Sequence, residues 1–340
     1  MTQLRRDPIT GRWIIIEVEN SKKPDEFDLE LNQKKGGTCP FCYGSEQMTP
    51  PEIEAHRETG TARNTPGWFT RVVPNKFPAL RIEGNLDRLG VGVYDRTNGI
   101  GAHEVIIETP HHHKELSDLT PEEIYHVLSS YRSRSIDLSK DSRFKYMLIF
   151  KNYGQSAGAS LEHPHSQLIA LPFIPKRVSQ ELKGAERYYE YRDRCGFCDM
   201  VQQELEDKER IVCENTAFIA FAPFVSRFPF ECWLLPKDHA ADFRELDGNK
   251  LLQLAQLVRE VLARIKKTLK DPSYNLILHT APVENVHLYS GLYHWHIEIM
   301  PRLTQVMGFE WGTGFYINPT SPEDAARYLK EAEIYEAKAT

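Results

Sequence analysis

Two Cys-x-x-Cys pairs, each followed by a lone histidine and then by a His-x-His, constrain this chain more than any other feature. The first set is Cys39-Pro40-Phe41-Cys42, His112 and His163-Pro164-His165. The second is Cys195-Gly196-Phe197-Cys198, His239 and His294-Trp295-His296. A C-x-x-C turn offers two thiolates from one short loop, and a structural zinc takes four ligands. Each pair therefore needs two more donors, which the histidines supply. The pattern predicts two closed zinc sites, Cys39–Cys42–His112–His163 and Cys195–Cys198–His239–His294, neither with an open position for substrate. The alternatives are surface turns with free thiols and redox dithiols, but neither pair opens a thioredoxin-like βαβ pattern. His111 and His113 read as exposed neighbours of His112. Cys213 and Cys232 lie in apolar runs and read as small hydrophobes.

The same motif order met twice also predicts a duplicated domain. His112 and His163 are 51 residues apart and His239 and His294 are 55 apart, while the Cys-to-His intervals differ, 70 against 41. An insertion in the first copy accounts for the difference. We expect an N-terminal half at 1–178 and a C-terminal half at 179–340, with the boundary in the charged stretch 175–194. Thr120-Pro121-Glu122-Glu123 is a capping box that opens a helix running on over 124–136. Helical spacing of apolar residues predicts another over 251–269, and Ser321-Pro322 starts a third. Strands are expected at 13–18, 146–151, 167–171, 273–279 and 294–300. The fold expected is α+β, with mainly antiparallel sheets and helices packed outside.

The 340 residues are 41% apolar and 26% charged, as in a soluble globular protein. A net charge of −6 argues against a nucleic-acid partner, which requires a basic field. No apolar stretch reaches bilayer length and no signal-peptide core follows Met1, so no membrane partner and a cytoplasmic location are expected.

Chemistry concentrates at His163-Pro164-His165-Ser166-Gln167. Residues two apart in an extended chain share a face, so His163, His165 and Gln167 line one side of an emerging strand. Metal held by His163 makes its neighbour rigid, and a rigid neutral imidazole at His165 is a competent nucleophile towards phosphorus. Gln167 can donate its amide to a phosphoryl oxygen. The small-residue run from Asn152 to Ser160 can cradle phosphates through its backbone and Ser160. His294-Trp295-His296 lacks both the small-residue approach and the glutamine, so His296 reads as non-catalytic or as a substrate contact.

Asn152-x-Gly154-x3-Gly158-x-Ser160-x2-His163-Pro164-His165-x-Gln167 resembles the active-site signature of the galactose-1-phosphate uridylyltransferases, duplicated members of the histidine-triad superfamily. The resemblance runs from Arg6-Asp7-Pro8 through Asn75-Lys76-Phe77-Pro78 to Gly308-Phe309-Glu310. It implies a galactose-metabolism enzyme with a ping-pong reaction. His165 attacks the α-phosphorus of UDP-glucose, glucose 1-phosphate leaves, and UMP passes to galactose 1-phosphate. It further implies that Asn152, Gly158, Ser160 and Gln167 contact the transferred phosphates and Asn75 the nucleoside, and that the enzyme is a homodimer whose sites are completed by the partner. In the basic run before Pro24, Lys23 remains as a substrate contact. The sequence departs from the family at Lys76, Thr304 and Tyr316, where an aspartate, a lysine and a glutamine are usual. Its tail from Glu310 to Pro319 is more like a branch that moves AMP from ADP-glucose onto phosphate and carries two C-x-x-C zinc sites. A phosphorylase using phosphate as acceptor is therefore the alternative reading. A histidine-triad hydrolase and a zinc-stabilised nucleic-acid-binding module complete the set. The second metal could also differ, held as in bacterial relatives by Glu181, His279, His294 and His296, but the second C-x-x-C favours zinc.

Overall fold

The computed structural model describes residues 1–28 and 36–334. The chain opens with a hairpin, β1 (Thr2–Arg6) and β2 (Trp13–Glu17). The first half continues with β3 (Glu54–Arg57), β4 (Trp68–Pro74), an exposed hairpin of β5 (Leu89–Val91) and β6 (Tyr94–Arg96), β7 (Ala102–Ile107), α1 (Pro121–Leu138), β8 (Tyr146–Tyr153) and β9 (His165–Leu171). Helices α2 (Lys176–Arg192) and α3 (Gly196–Asp207) lead to β10 (Ile211–Glu214), β11 (Phe218–Phe221), β12 (Cys232–Pro236), α4 (Gly248–Leu269), β13 (Tyr274–His279), α5 (Val286–Tyr289) and β14 (His296–Pro301). The last elements are α6 (Gly308–Thr313), β15 (Tyr316–Asn318) and α7 (Pro322–Glu331).

Ten strands form one antiparallel sheet in the order β10-β11-β12-β14-β13-β8-β9-β7-β4-β3. From either edge inward the connectivity is the same: β3-β4-β7-β9-β8 on one side and β10-β11-β12-β14-β13 on the other. Each half also places one long helix between its third and fourth strands, α1 and α4. The halves meet where β8 pairs with β13, with Asn152 opposite Asn275 and Phe150 opposite Ile277. The fold is thus α+β, mainly antiparallel and duplicated, as expected. In this repeat β14 is the counterpart of β9, so His296 is the counterpart of His165. A separate three-stranded sheet, β1-β2-β15, ties the N-terminus to the C-terminal segment through a parallel β2–β15 pairing.

The long helices cover one face of the sheet. At the start of α1, Thr120 Oγ1 accepts from the Glu123 amide at 3.2 Å and Glu123 Oε2 accepts from the Thr120 amide at 2.7 Å. This satisfies donors that a helix start leaves unpaired. Asp247 caps α4, and the expected stripe of Leu254, Leu257, Val258, Val261, Leu262 and Ile265 is buried. α1 and α4 pack on each other across the seam. On the opposite face α2, α3 and the β1–β2 turn cover the second half, with Ile9, Val178, Leu182, Ala185, Phe197 and Val201 packed on Ile219, Phe221 and Leu235. Gly184 allows that approach, because a Cβ there would run into the Ile9 carbonyl. The first half has only a small cluster around Phe41, Trp68 and Val105 on this face, which leaves room for a cavity.

The structure shifts several expected limits. The charged stretch 175–194 is mostly a helix, α2, because Val178, Leu182 and Ala185 supply a buried stripe that the charge density masks. β8 runs on to Tyr153, and β9 begins at His165. His163 therefore precedes the strand, and only His165 and Gln167 lie within it. Likewise β14 starts at His296, so His294 sits in the approach.

Candidate active site

The sequence-predicted ligands converge. In each of the sets Cys39–Cys42–His112–His163 and Cys195–Cys198–His239–His294, all four donor atoms lie within 4.8 Å of one another. Cys42 Sγ is 3.2 Å from His112 Nδ1 and 3.6 Å from His163 Nδ1, and Cys198 Sγ stands at the same distances from His239 and His294. The far nitrogens of His163, His239 and His294 are committed elsewhere. His163 Nε2 donates to the Thr109 carbonyl at 2.7 Å, His239 Nε2 to Ser290 at 2.6 Å, and His294 Nε2 to Pro236 at 3.0 Å. A carbonyl only accepts, so each Nε2 carries the proton and each Nδ1 presents its lone pair to the thiolates. Two thiolates and two imidazole nitrogens in each set fit a tetrahedral zinc. His111 and His113 are exposed, as expected.

The first site also shapes what lies beside it. Phe41, between the two cysteines, packs edge-on against His163 and His165, with ring centroids 6.1 and 5.4 Å away. His165 Nδ1 donates to the His163 carbonyl at 2.8 Å, which leaves the Nε2 lone pair free. Burial holds this imidazole neutral, its pKa pushed down to about 4, with the carbonyl of His163 opposing. The ring lines a cavity of about 440 Å³ together with Gln167, Ser160, Asn75, Phe77, Val73 and Met48. A neutral nucleophilic nitrogen, a side-chain amide and a hydroxyl thus share one pocket with apolar walls.

Behind His165 the sheet holds a buried ionic group. Lys151 Nζ lies 2.8 Å from Glu108 Oε2 and 3.6 Å from Glu115 Oε2, all three almost wholly buried. Glu108 in turn accepts from Ser166 Oγ, which contacts the Tyr131 hydroxyl, and the Glu108 amide donates to the Pro164 carbonyl at 3.1 Å. The His-Pro-His segment is therefore clamped from the zinc side and from the core side. Burial works against the charge on Lys151, but Glu108 and Glu115 override it and hold its pKa above the usual lysine value. This clamp was missed in the sequence. Its signal was a lysine inside the apolar run Tyr-Met-Leu-Ile-Phe-Lys-Asn-Tyr.

The other expected contacts are spread out. Asn152 lies on β8, accepts from Asn275 Nδ2 at 2.8 Å and lines a central cavity of about 820 Å³ with Ser156, Arg177, Arg302, Thr304 and Tyr316. Gly158 ends the turn before the motif with φ +86°, a conformation that favours glycine. Lys23 lines neither cavity. It sits beside Lys22, whose amide donates to Pro319, close to β15.

The second half cannot repeat the first. His296 is stacked between His279 and Trp233, with centroids 4.7 and 5.0 Å away, and its Nε2 lies 3.3 Å from Glu181. Glu298 stands where Gln167 stands in the first half and would repel a phosphate. His279 bridges Glu181 at 3.1 Å and Glu298 at 3.4 Å, and Arg227 also pairs with Glu298 at 2.5 Å. The donor atoms of Glu181, His279 and His296 form a third group, without His294. Its one carboxylate, Glu181, already pairs with His279 and lies against His296, while the adjoining Glu298 pairs with Arg227 and His279.

A family model described as Galactose-1-phosphate uridyl transferase, N-terminal domain, matches residues 1–175. A second, described as a domain of unknown function (DUF4921), matches residues 97–339. ADP-glucose phosphorylase of Arabidopsis thaliana is 38% identical over 337 residues, covering 98% of this chain and 93% of that protein. Galactose-1-phosphate uridylyltransferase of Thermotoga maritima is 30% identical over 342 residues, covering 98% and 99%. The crystal structure of an ADP-glucose phosphorylase from Arabidopsis thaliana with bound ADP-glucose superposes with a TM-score of 0.83 at 36% identity, covering 98% of this chain and all of that one. With its two Cys-x-x-Cys sets and its His-Pro-His motif in place, the chain belongs to the galactose-1-phosphate uridylyltransferase family of nucleotidyltransferases.

Proposed function

We propose that the chain transfers a nucleotidyl group from a nucleotide sugar through a covalent intermediate on His165. The free Nε2 of a neutral, buried His165, facing a cavity it shares with Gln167 and Ser160, carries this reading. Nε2 attacks the α-phosphorus, a P–N bond forms, the P–O bond to the β-phosphate breaks, and glucose 1-phosphate leaves. In the second step an acceptor oxygen attacks the same phosphorus and the P–N bond breaks. Gln167 stabilises the phosphoryl oxygens in both steps. Asn75 contacts the nucleoside, and Asn152, Gly158 and Ser160 border the path of the phosphates.

ADP-glucose with inorganic phosphate as acceptor is the favoured pair, yielding ADP and glucose 1-phosphate. The 38% identity to a protein named ADP-glucose phosphorylase, against 30% to one named uridylyltransferase, supports it, as do Lys76 and Thr304. UDP-glucose with galactose 1-phosphate is the second reading. Two bound zinc ions are proposed, each holding loops. A homodimer is proposed because Lys23, Thr304 and Tyr316 lie outside the His165 cavity, and a second copy can bring such groups to it. Among the described residues no helix is long and apolar enough to cross a membrane, and we propose a cytoplasmic location.

The test crosses two donors, ADP-glucose and UDP-glucose, with two acceptors, phosphate and galactose 1-phosphate, and follows glucose 1-phosphate release. Labelled nucleotide should remain on the denatured wild-type protein and be absent from His165→Asn. Retained transfer by His165→Asn would refute the covalent route, and the donor with the higher kcat/KM decides the base.

A further inference from the structure

His103 lies on β7, two residue pairs along from the Val105–Gln167 pair and on the same face, and it is bound at both ring nitrogens. The Ala79 amide donates to His103 Nδ1 at 3.1 Å. A backbone N–H can only donate, so Nδ1 must carry a lone pair. A neutral imidazole with a bare Nδ1 has its proton on Nε2. That nitrogen is 2.8 Å from Gln167 Oε1. Asn75 completes the group: its Oδ1 accepts from the Phe77 amide at 2.9 Å, and its Nδ2 lies 3.1 Å from His103 Nε2. With the His103 proton directed at Gln167, the hydrogens of the Asn75 amide find no acceptor on that ring and remain available to a ligand.

We propose that His103 is a positioning residue that fixes the orientation of the Gln167 amide for nucleotidyl transfer. By donating to Oε1 it turns the Gln167 NH2 group towards the cavity, where the phosphoryl oxygens must sit beside His165. The opposite tautomer would have two consequences. It would set Nδ1–H against the Ala79 amide, donor against donor, and it would turn Gln167 so that its carbonyl oxygen met the phosphate. The 75–80 loop at the cavity mouth therefore sets the tautomer of His103, and His103 sets the face that Gln167 presents to the reaction. The inference rests on the transferase reading above, but its central geometry can be measured without substrate.

The first experiment reads the tautomer. Long-range ¹H–¹⁵N spectra of the wild-type protein with labelled histidine, assigned by loss of one signal in His103→Gln, should show the Nε2–H form. An Nδ1–H form overturns the proposal whatever the variants do. The second is kinetic. His103→Leu should lower kcat for glucose 1-phosphate release by about 10–100-fold with KM within about twofold, a share of the ~100–1000-fold expected for losing one such donor. His103→Gln, whose amide can donate to Gln167, should recover most of that loss. In a Gln167→Ala background, His103→Leu should cost less than about twofold more, because residues acting as a unit are not additive. An equal fold-loss in both backgrounds overturns the proposal. A wild-type chain that transfers from neither nucleotide sugar overturns the transferase reading instead, and the tautomer separates the two failures.

Discussion

Replacing Lys151 by methionine is the sharpest test of the clamp behind His165. The lysine is the only cation contacting Glu108 among the described residues, at 2.8 Å, with Glu115 at 3.6 Å, and each of the three side chains is at most 4% exposed. Methionine fills similar space but leaves two carboxylates buried together. Breaking a buried pair by removing one partner costs about 3–5 kcal/mol. That is roughly two to three and a half orders of magnitude in the folding equilibrium. For a chain of this size it corresponds to a fall in Tm of about 4–7 °C. The pH dependence has a fixed sign. In the variant the buried carboxylates bind protons more tightly folded than unfolded, so stability is lost as pH rises and regained as it falls. The deficit at pH 8 should therefore shrink at pH 5. Adding Glu108→Gln should restore part of it. Guanidinium denaturation followed by circular dichroism at the two pH values reads both effects. A loss below about 1 kcal/mol, or a deficit that grows on acidification, would refute the reasoning.

Other consequences follow from the same geometry. Cys42→Ser and Cys198→Ser should each remove one zinc equivalent by elemental analysis, yet only Cys42→Ser should also slow transfer, because Phe41 and His163 hold His165; equal slowing by both would count against this. Gln167→Ala should cut kcat about 100–1000-fold with little change in KM, and a pure KM effect would assign Gln167 to ground-state binding. Gly184→Ala should lower stability by about 1–3 kcal/mol by forcing α2 off the Ile9 carbonyl, an overpacking cost that an unchanged melting curve would disprove. Burial works against the charge on His279, but Glu181 and Glu298 raise its pKa to about 10. Its stabilisation is thus complete below the unfolded value of about 6.5 and fades as pH rises through 10. Denaturation midpoints of His279→Gln should then vary less than wild type between those limits, and parallel profiles would contradict it.

Where a single residue type carries its own geometry, the sequence could be read. Cysteine pairs and histidines mark both zinc sets, and the capping box at Thr120 and the stripe of α4 mark their helices, because ligand chemistry and helical period are local properties. α2 escaped because its buried stripe is only a few residues wide and charges flank it. The Glu108–Lys151 clamp and the His103–Gln167 contact escaped for another reason. Their partners are 43 and 64 residues apart, and only the pairing of β7, β8 and β9 brings them together. Even the His-Pro-His motif was legible as chemistry before it was legible as geometry. The division between a metal-holding His163 and an attacking His165 could be read from the motif, but not that His163 precedes the strand and only His165 lies within it.

The seam between β8 and β13 has a consequence for how such a molecule could change. In a sheet built from two identical chains, any substitution appears on both sides at once. A glutamate in place of Gln167 would then disable both pockets together. Here the two sides are encoded separately, so Glu298 and Trp233 can occupy one pocket while Gln167 and Val105 keep the other open. The shared strands make the altered half a rigid neighbour whose tyrosines, arginines and C-terminal segment are free to be recruited for tasks other than attack on phosphorus.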